Sequence, residues 1–412
     1  MENRLIIEPS TLKLARFNAE HCGFPKPRVS HLPVSPEISL HRKSYSSLKQ
    51  KDKGSSHFRY FSRGRYALRE AYRLAGVGRE GALLAPAYHC VTMLDPAISI
   101  GTDIQLYPVQ ADLTPDLGKL DDLLSAYGKP VKALLATHFF GFVQNFSALK
   151  EWCEKHQIML IEDCSHVLFT ESFQAAGAGL YGKFVAASPY KFFACKDGGL
   201  LYSRFDHLLE SVAVNPASLM NELRGVQQML EHWQSIDTTA PEIALIDKRL
   251  QEFNTNPPVT AEEQITPYSE PSSLYIETEA RTSALRLSRF VVGRTPIEEI
   301  IRRRHNNYQR WTKAVSALPN CHTPFPDLSE NCVPYMFPLH IEYPAPHFYR
   351  LKHLGLPVWR WDEMAVSDCP IAQDYRLHLL HLPCHQSLTE SQMDWMIAAV
   401  QKTMRQPLQG AK

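Results

Sequence analysis

A lysine follows an apolar run near the middle of the chain. Residues 184–187 (Phe-Val-Ala-Ala) lead into Ser188 and then Lys191, and aromatic residues flank the lysine. Most lysines lie in solvent, and a lone lysine is seldom catalytic. An amine that lies among aromatic rings is partly shielded from water, and it can then act as a nucleophile that forms a Schiff base with a carbonyl compound. Lys191 is therefore a candidate catalytic residue, with Lys196 beside Asp197 as the competitor.

An acidic pair ends a second apolar run. Glu162 and Asp163 follow Ile158–Ile161, and His166 comes shortly after them. A carboxylate at the end of a buried strand is costly to bury without a partner. It can cap the start of a helix, or it can keep a cationic ring nitrogen protonated. The residues alone leave both interpretations open.

A glycine precedes a helical pattern in the segment Ser62-Arg63-Gly64-Arg65-Tyr66. Glycine lets the backbone approach a ligand closely, and the first N–H groups of a helix attract a phosphate. On its own, such a segment is more often a turn without a ligand.

Together, these three features match what pyridoxal phosphate (PLP) requires of a protein. A lysine forms a Schiff base with the cofactor, a carboxylate keeps the pyridine nitrogen protonated, and loop N–H groups bind the phosphate. The three features in this order are far more specific than any one of them. They predict a PLP enzyme with Lys191 as the attachment point.

Several segments resemble the DegT/DnrJ/StrS sugar aminotransferases, a family of fold-type-I PLP enzymes, and the chain reads as a divergent member. The resemblance covers about residues 59–203 and, more loosely, residues 300–404. It is carried by Gly64-Arg65-Tyr66-Ala67-Leu68, Pro86-Ala87-Tyr88-His89-Cys90, Thr137-His138-Phe139-Phe140-Gly141, Glu162-Asp163 with His166, Lys191 with Asp197-Gly198-Gly199, and Leu382-Pro383-Cys384-His385.

The resemblance implies roles for individual residues. Asp163 would meet the pyridine nitrogen, and His166 would lie near the phenolic oxygen of the cofactor. Lys191 would carry the cofactor as an internal aldimine and, once free, would move a proton as general acid and base. The implied contacts to the cofactor phosphate are Gly64, Arg65, Tyr66 and Ser188.

The ring above the cofactor and the substrate contacts are less defined. His89 is the candidate for that ring, with Cys90 as the alternative. Tyr88, His138 and Arg360 are candidate substrate contacts, and Arg360 lies between two tryptophans, where it could clamp a carboxylate or a phosphate. A satisfied buried histidine is the simpler interpretation of His138, and a surface position beside packed tryptophans is an equal alternative for Arg360.

The chain departs from the family pattern in two places. Ser188 and Lys191 are closer in sequence than the family's serine and lysine. The Asn-Tyr-Arg motif, with which a neighbouring subunit usually helps to hold the phosphate, is missing. The second departure weakens the inference to a nucleotide-sugar substrate and to a site shared between subunits, but it leaves the inference to PLP unchanged.

The expected activity is that of an aminotransferase. An amino-acid donor, glutamate or glutamine, would pass its amino group to a keto or aldehyde acceptor, such as a keto-sugar or a natural-product or polysaccharide precursor, with ping-pong kinetics. The alternative is a PLP enzyme of another reaction type, such as elimination, racemisation or condensation. A scaffold without turnover is a third possibility. The family resemblance implies a homodimer.

Short apolar runs alternate with helical patterns between Phe58 and Ser203. This alternation is typical of a mostly parallel sheet covered by helices, whose active site lies at the carboxyl ends of the strands. We therefore expect an α/β fold of the fold-type-I aminotransferase kind, with a large PLP-binding domain on a seven-stranded type of sheet and a smaller C-terminal α/β domain. The predicted strands are Ala82–Ala85, Ile104–Tyr107, Val131–Thr137, Ile158–Glu162, Phe184–Ala187 and Leu200–Tyr202.

The expected organisation has three parts. An irregular N-terminal arm covers residues 1–57, the large domain covers 58–285 with a loop excursion at 252–273, and the small domain covers 286–412. An amphipathic helix is predicted at 217–233 from its apolar stripe. A closing helix is predicted from Thr389, which forms a capping box with Gln392.

Composition excludes several classes of function. The 412 residues include 44 Lys+Arg and 43 Asp+Glu. The chain therefore has no excess of positive charge that would attract nucleic acid or an anionic membrane. No apolar stretch approaches the roughly 18–20 residues of a membrane helix, and the first residues do not resemble a signal peptide. Scattered cysteines without a CxxC pair predict reduced thiols, a cytoplasmic protein and no metal site. The expected partners are small-molecule substrates.

Overall fold

The computed structural model describes residues 12–17, 32–37, 56–234, 238–255 and 262–408, except for the side chains of residues 232 and 233. The strands are β1 Lys13–Phe17, β2 Phe58–Phe61, β3 Ala82–Pro86, β4 Ile104–Tyr107, β5 Val131–Thr137, β6 Met159–Cys164, β7 Phe184–Ala187, β8 Gly199–Tyr202, β9 Glu263–Pro267, β10 Cys321–His322, β11 Met336–Ile341, β12 Met364–Ala365 and β13 Leu379–Pro383. The α-helices are α1 Gly64–Leu74, α2 Val91–Ser99, α3 Leu117–Tyr127, α4 Ser147–Lys155, α5 Leu219–Gln234, α6 Ile246–Thr255, α7 Arg286–Arg294, α8 Ile297–Val315, α9 Pro344–Leu354, α10 Pro370–His378 and α11 Glu390–Met404.

The central sheet has seven strands in the order β2-β8-β7-β6-β5-β3-β4. Strands β3 to β7 are paired in parallel, whereas β8 is antiparallel to both β7 and β2. All six predicted strands are confirmed within this sheet. The seventh strand, β2, was not predicted because it is a four-residue edge strand that buries only its two end residues.

The carboxyl ends of β5, β6 and β7 are adjacent in this order. Thr137 pairs with Asp163, and Asp163 pairs in turn with Ala186. Side chains that follow these strands therefore meet at one edge of the sheet, as expected for a parallel α/β fold. Helix α1 begins at the same edge and buries Ala67, Ala71 and Tyr72 completely.

A second, three-stranded sheet in the order β10-β11-β13 forms the C-terminal part. Its core includes the buried side chains of Trp311, Phe337 and Trp395. The predicted closing helix is confirmed as α11. Thr389 Oγ1 accepts from the Gln392 N–H at 3.2 Å, and Gln392 Oε1 accepts from the Thr389 N–H at 3.0 Å.

Two segments expected to be irregular contain strands. Within the arm, Lys13–Phe17 form β1, which pairs antiparallel with β9 and with β12. Strand β9 lies inside the predicted loop excursion at 252–273. That excursion is also anchored, because Asp95 accepts hydrogen bonds from the Tyr268 hydroxyl and the Ser272 N–H, both at 2.7 Å. Pairing between segments so far apart in sequence leaves no local pattern from which either strand could be predicted.

Other expectations about organisation have different outcomes. Most of the N-terminal arm (residues 1–11, 18–31 and 38–55) lies outside the described residues. The boundary between the domains at 285/286 stays a prediction. The amphipathic helix at 217–233 is confirmed as α5, but its apolar stripe faces outward. Among the described residues, no helix combines the length and the apolar character needed to cross a bilayer.

Candidate active site

Asp163 lies at the carboxyl end of β6 and is fully buried. Its Oδ1 accepts a hydrogen bond from the Ser165 N–H at 2.8 Å, whereas its Oδ2 is buried without a hydrogen-bond partner among the described residues. Burial raises the pKa of Asp163, and the hydrogen bond from Ser165 and the charge of Lys191 offset part of that rise. An unpartnered buried carboxylate oxygen is costly, so this atom is prepared for a cationic or hydrogen-bond-donating group that binds beside it.

Lys191 ends the short 3₁₀ turn Pro189–Lys191 that follows β7. Its N–H donates to the Ser188 carbonyl at 3.0 Å, and its Nζ lies 5.3 Å from the centre of the Tyr335 ring. The Lys191 charge also lowers the pKa of the buried side chains of His166 and His381, in each case after the effect of burial itself. The structure therefore brings Lys191, Asp163 and His166 together, as the sequence predicted.

Arg304 on α8 fixes the turn that carries Lys191. The guanidinium is fully buried and donates to the Lys191 carbonyl at 3.2 Å and to the Gln386 Oε1 at 2.9 Å. Gln386 in turn donates to the Phe192 carbonyl at 2.7 Å. No role was predicted for these residues, although Arg304 lies in a run of three arginines of which it alone is buried. That run was the available signal, but only helix phase shows which arginine points inward.

Glu162 lies on the other face of β6 and has a structural role. Its carboxylate accepts hydrogen bonds from the N–H groups of Gly179, Tyr181 and Gly182 at 2.7–2.9 Å. It also accepts from His138 Nε2 at 2.9 Å, while His138 Nδ1 accepts from the Gln144 N–H at 3.0 Å. His138 is therefore a satisfied buried histidine and not a substrate contact.

The start of α1 meets the ends of β6 and β7 at two serines. Ser188 Oγ donates to Ser165 Oγ at 3.1 Å. A Cβ on Gly64 would lie 2.1 Å from Ser188 Oγ and 3.4 Å from Ser165 Oγ, so only glycine permits this approach. Two hydroxyls and the N-terminus of a helix are groups that can bind an anion, and we call this group of residues the cradle. Ser165 was not predicted, although it is a hydroxyl two residues after Asp163.

Arg65 and Tyr66 contribute differently from the prediction. The Arg65 guanidinium donates to the Leu274 carbonyl, and the Tyr66 hydroxyl accepts from the Ile276 N–H at 3.2 Å. The Tyr66 N–H already donates to the Arg63 carbonyl at 3.1 Å. The side chains of both residues therefore bind the 274–276 segment. The Arg65 N–H lies in the first turn of α1, before the first intrahelical hydrogen bond. It is therefore the group of these two residues that can still contribute to the cradle.

Aromatic side chains line the same side of the sheet as Lys191. The Tyr88 hydroxyl is hydrogen-bonded to His381 Nε2 at 3.0 Å, and the Tyr88 ring lies 4.9 Å from that of Trp361. The His166 ring lies 4.6 Å from Tyr335 and 5.5 Å from Trp361. Tyr88 thus lies among these rings, and its role as a substrate contact stays a prediction. The sequence analysis did not predict a role for His381, although the segment Leu382-Pro383-Cys384-His385 that resembles the family begins at the next residue.

The Tyr335 segment is joined to the end of β5 by direct backbone contact. The Tyr335 N–H donates to the Phe140 carbonyl at 2.7 Å. Gly141 has a positive φ of 101°, and a Cβ there would lie 2.2 Å from the Val333 carbonyl oxygen. Glycine is required at this position by both its conformation and the close approach.

The structure corrects the prediction for His89. Its Nδ1–H donates to the carbonyls of Pro86 and Ala87 at 3.0 Å, and its Nε2 accepts from the Ala365 N–H at 3.1 Å. The ring is therefore a buried structural bridge to β12, and burial lowers its pKa to about 4. Cys90, the alternative, is half-buried at the start of α2, where its Sγ lies 3.2 Å from Thr92 Oγ1. Its place over the cofactor ring stays a prediction.

Arg360 is also corrected. Its guanidinium donates to the Leu377 carbonyl at 2.9 Å, lies 3.5 Å from an Asp362 oxygen and covers the Phe348 ring at 4.3 Å. These contacts use the guanidinium to pack α9 and α10, and it also lies 5.6 Å from the Phe17 ring of β1. Arg360 is buried, so the surface position is wrong as well. Trp361, the next residue, is the one that reaches the site, because successive residues of an extended segment point in opposite directions.

The mostly parallel seven-stranded sheet, with a lysine and a carboxylate at adjacent strand ends, is the architecture of fold-type-I enzymes. Residues 53–233 match the model of the DegT/DnrJ/EryC1/StrS aminotransferase family. The resemblance noted in the sequence is thereby confirmed over the region that holds Gly64, Asp163 and Lys191.

Curated relatives match over part of their length. A GDP-perosamine synthase from Vibrio cholerae is 25% identical over 156 residues, which are 36% of this chain and 40% of the relative. An L-glutamine:2-deoxy-scyllo-inosose aminotransferase from Streptomyces kanamyceticus is 31% identical over 123 residues, which are 29% of this chain and 28% of the relative. The matched region thus spans less than half the length of either relative.

Solved structures agree over a larger part of the chain. The aminotransferase TlmJ from Streptoalloteichus hindustanus superposes with a TM-score of 0.58 at 18% identity, over 85% of this chain and 86% of that one. At this identity the similarity establishes the fold, and the α/β prediction is confirmed.

Proposed function

We propose that the protein is a PLP-dependent aminotransferase that transfers an amino group from an amino-acid donor to a keto or aldehyde acceptor. The observation that carries the proposal is the buried Oδ2 of Asp163, which no described residue hydrogen-bonds, next to Lys191 at the carboxyl ends of β6 and β7. A protonated pyridine nitrogen is the type of group that such an oxygen accepts. The family of residues 53–233 supports the same activity.

The residues present fit the cofactor at each of its ends. Asp163 Oδ2 would accept from the ring nitrogen, and the cradle of Gly64, Ser165 and Ser188 would hold the phosphate. Lys191 Nζ is the only lysine amine among the groups described at this edge of the sheet, and it would be the covalent attachment point. Bound PLP would supply an electron sink for the donor's α-carbon.

The chain's own groups would transfer the protons, hold the lysine in place and exclude water. Lys191 Nζ would take the proton from the donor's α-carbon as general base and later return a proton as general acid. Arg304 would keep the Lys191 backbone in place through its hydrogen bond to the lysine carbonyl. The rings of Trp361, Tyr335 and Tyr88 would limit the entry of water around the reacting atoms.

The donor is proposed to be glutamate or glutamine, and the acceptor a keto-sugar or a related cyclic precursor. The names of the two curated relatives, a perosamine synthase and a scyllo-inosose aminotransferase that uses glutamine, support these classes. Aromatic rings such as those of Tyr88 and Trp361 offer flat apolar surfaces on which a ring-shaped acceptor can pack.

The test is the visible absorption spectrum of the purified protein with PLP, before and after addition of glutamate or glutamine. We expect a cofactor band that bleaches with the donor as a keto acid is released. Lys191→Ala should abolish the native band, whereas the matched control Lys196→Ala, an exposed lysine on the same connection, should keep it. A band that neither donor bleaches would move the assignment to another PLP reaction type. Absence of any band with PLP would reject the proposal.

We further propose that the chain forms a homodimer through α5. The apolar stripe of this helix faces outward, with Leu219 and Leu223 exposed by 76% and 58% and with Val226 and Leu230 also exposed. A contiguous apolar stripe of this kind is unusual on a monomer and marks an interaction surface. A second copy of the chain would cover it. Leu223→Glu should convert the dimer into a monomer in light scattering, whereas the neighbouring polar change Gln227→Glu should not. A monomeric wild-type protein would contradict the proposal.

A reducing compartment such as the cytoplasm is proposed for the protein. All eight cysteines within the described residues are free thiols, and such thiols persist where disulfides are kept reduced. Cell fractionation would test this, and recovery outside the cytoplasmic fraction would contradict it.

A further inference from the structure

Two histidines and an aspartate meet where α10 packs on β11. His340 lies on β11, and Asp374 and His378 lie on α10. Residues four apart on a helix share one face, so Asp374 and His378 both point towards the strand. One nitrogen or carboxylate oxygen from each of the three lies within 4.8 Å of the others.

The Asp374 carboxylate links the two histidines. Its Oδ2 lies 2.8 Å from His340 Nε2, and its Oδ1 lies 3.1 Å from His378 Nδ1. The two imidazole rings are stacked with their centres 5.6 Å apart. The three groups therefore converge on one point from two separate elements.

A third imidazole crowds the same point. His322 on β10 pairs directly with His340, and their ring centres lie 4.8 Å apart. His340, Asp374 and His378 therefore have a third imidazole beside them. His378 Nδ1 also lies 2.9 Å from the Asp374 carbonyl oxygen, so a bound metal ion would replace this contact as well as those to the carboxylate.

We propose that His340, Asp374 and His378 form a zinc-binding site. Two imidazole nitrogens and one carboxylate oxygen are a donor set that Zn²⁺ prefers, with a water as the fourth ligand. Tetrahedral bonds of about 2.0–2.2 Å place the donor atoms roughly 3.3 Å from one another, a spacing that small side-chain rotations reach from the present one. The side chains of Asp374 and His378 are 43% and 28% exposed, which gives the ion and its water access from solvent.

A second cluster of possible metal ligands differs from the proposed zinc site in its access to solvent. His138, Glu162 and Cys164 also lie within reach of one another, but all three are fully buried. The Glu162 oxygens are already occupied by three N–H groups and His138. That cluster has no entry path for an ion through the described residues, and its carboxylate is already held by four hydrogen bonds, three of them from backbone groups outside the cluster.

Zinc at this position would join α10 to the C-terminal sheet. Helix α10 also carries Tyr375, whose ring packs edge-on against Tyr88 at 5.9 Å. The role of the ion would therefore be structural, holding in place a helix that supports the aromatic wall of the candidate active site. The proposal does not depend on the proposed aminotransferase activity, because binding and stability report on it directly.

The test is titration of the purified full-length protein with Zn²⁺ after treatment with a chelator, followed by calorimetry and thermal unfolding. We expect one zinc ion per chain and a higher unfolding temperature with zinc, since a ligand that binds only the folded state stabilises it. Loss of a group that merely orients a metal ligand costs roughly 10- to 100-fold in affinity, so Asp374→Asn and His378→Gln should each cost at least about 100-fold.

The controls separate this site from adventitious binding. His156→Gln removes one half of a surface histidine–aspartate pair, His156 with Asp121 at 3.1 Å, and it should leave zinc affinity unchanged. Circular dichroism should show that the exposed Asp374 and His378 variants remain folded. Unchanged zinc affinity in the Asp374 and His378 variants, equal loss in the His156 variant, or no zinc bound by the wild type would each overturn the proposal.

Discussion

On one face of β6 the carboxylate of Glu162 accepts hydrogen bonds from three backbone N–H groups and from His138. On the other face, Asp163 keeps one buried oxygen that has no partner in the part of the chain that the structure describes. The two residues are neighbours in sequence, equally buried and of the same charge. Alternation of side chains along a strand sends them to opposite faces of the sheet.

The difference separates a structural carboxylate from a functional one. A hydrogen-bonded buried carboxylate stabilises the fold it bridges, whereas an unpartnered one destabilises it until a ligand arrives. Burial alone is therefore a poor marker of a site. The unsatisfied atom is the better marker, and the following predictions test this contrast between the two faces.

The largest effect is expected on the Glu162 face. Glu162→Ala leaves His138 and three N–H groups without their partner, and each buried donor left unsatisfied costs about 1–3 kcal/mol of unfolding free energy. Urea unfolding would measure it. The control is Glu154→Ala, because Glu154 is exposed and pairs only with Lys150 on the surface. Similar losses in the two variants would contradict the structural role of Glu162.

On the Asp163 face the effect should appear in activity instead. Asp163→Asn keeps the shape but removes the charge, and loss of one preorganised electrostatic group costs about 100- to 1,000-fold in kcat. Its unfolding free energy should not fall, because an uncharged amide is cheaper to bury than a carboxylate. Steady-state kinetics and urea unfolding on the same sample would check both statements. A variant with full activity would remove Asp163 from the site.

Acid should destabilise the Lys191 face through its neutral histidines. Burial, together with the charge of Lys191, lowers the pKa of His381 to about 3. Below about pH 6.5 the unfolded chain therefore binds a proton that the folded chain does not. Unfolding free energy should fall with pH in this window by about 1.4 kcal/mol per pH unit for such a histidine.

His381→Gln should remove this share of the slope when unfolding is measured from about pH 7 to about pH 4.5. His207→Gln, at an exposed histidine, is the matched control and should leave the slope as it is. An unchanged slope in the His381 variant would show that the ring is already protonated in the folded protein.

The smallest effect is expected at Arg360, which lies on neither face. Arg360→Lys should leave the KM for donor and acceptor unchanged, because the guanidinium binds the Leu377 carbonyl and covers the Phe348 ring. Loss of that cation–π contact should lower the unfolding free energy by about 1 kcal/mol. A raised KM with unchanged stability would restore Arg360 as a substrate contact.

Much of the large sheet could be predicted because its strands are buried on both sides. Continuous apolar runs mark such strands, and the ends of those runs marked Asp163 and Lys191 as candidates. The same reasoning could not reach β1 and β9, whose pairing joins distant parts of the chain. It also could not decide whether His89 or Cys90 lies over the cofactor ring. A shift of one position along the segment after β3 reverses the direction of a side chain, and the sequence does not fix that position.

Residues that act through the backbone were the hardest to predict. Arg304 binds the Lys191 carbonyl, and Arg65 binds the Leu274 carbonyl. A carbonyl oxygen is present at every residue, so the sequence carries no mark of which one an arginine will bind. Only the folded arrangement of helices and turns shows it.

The backbone contact between Gly141 and residues 332–335 has a consequence for motion. Where two main chains touch without side chains between them, neither can slide or tilt without breaking the Tyr335 to Phe140 hydrogen bond. We expect this segment to travel with the large sheet when the C-terminal part moves to admit a substrate. Tyr335 should then keep its place over Lys191, with the lysine Nζ 5.3 Å from the ring centre, throughout such a movement.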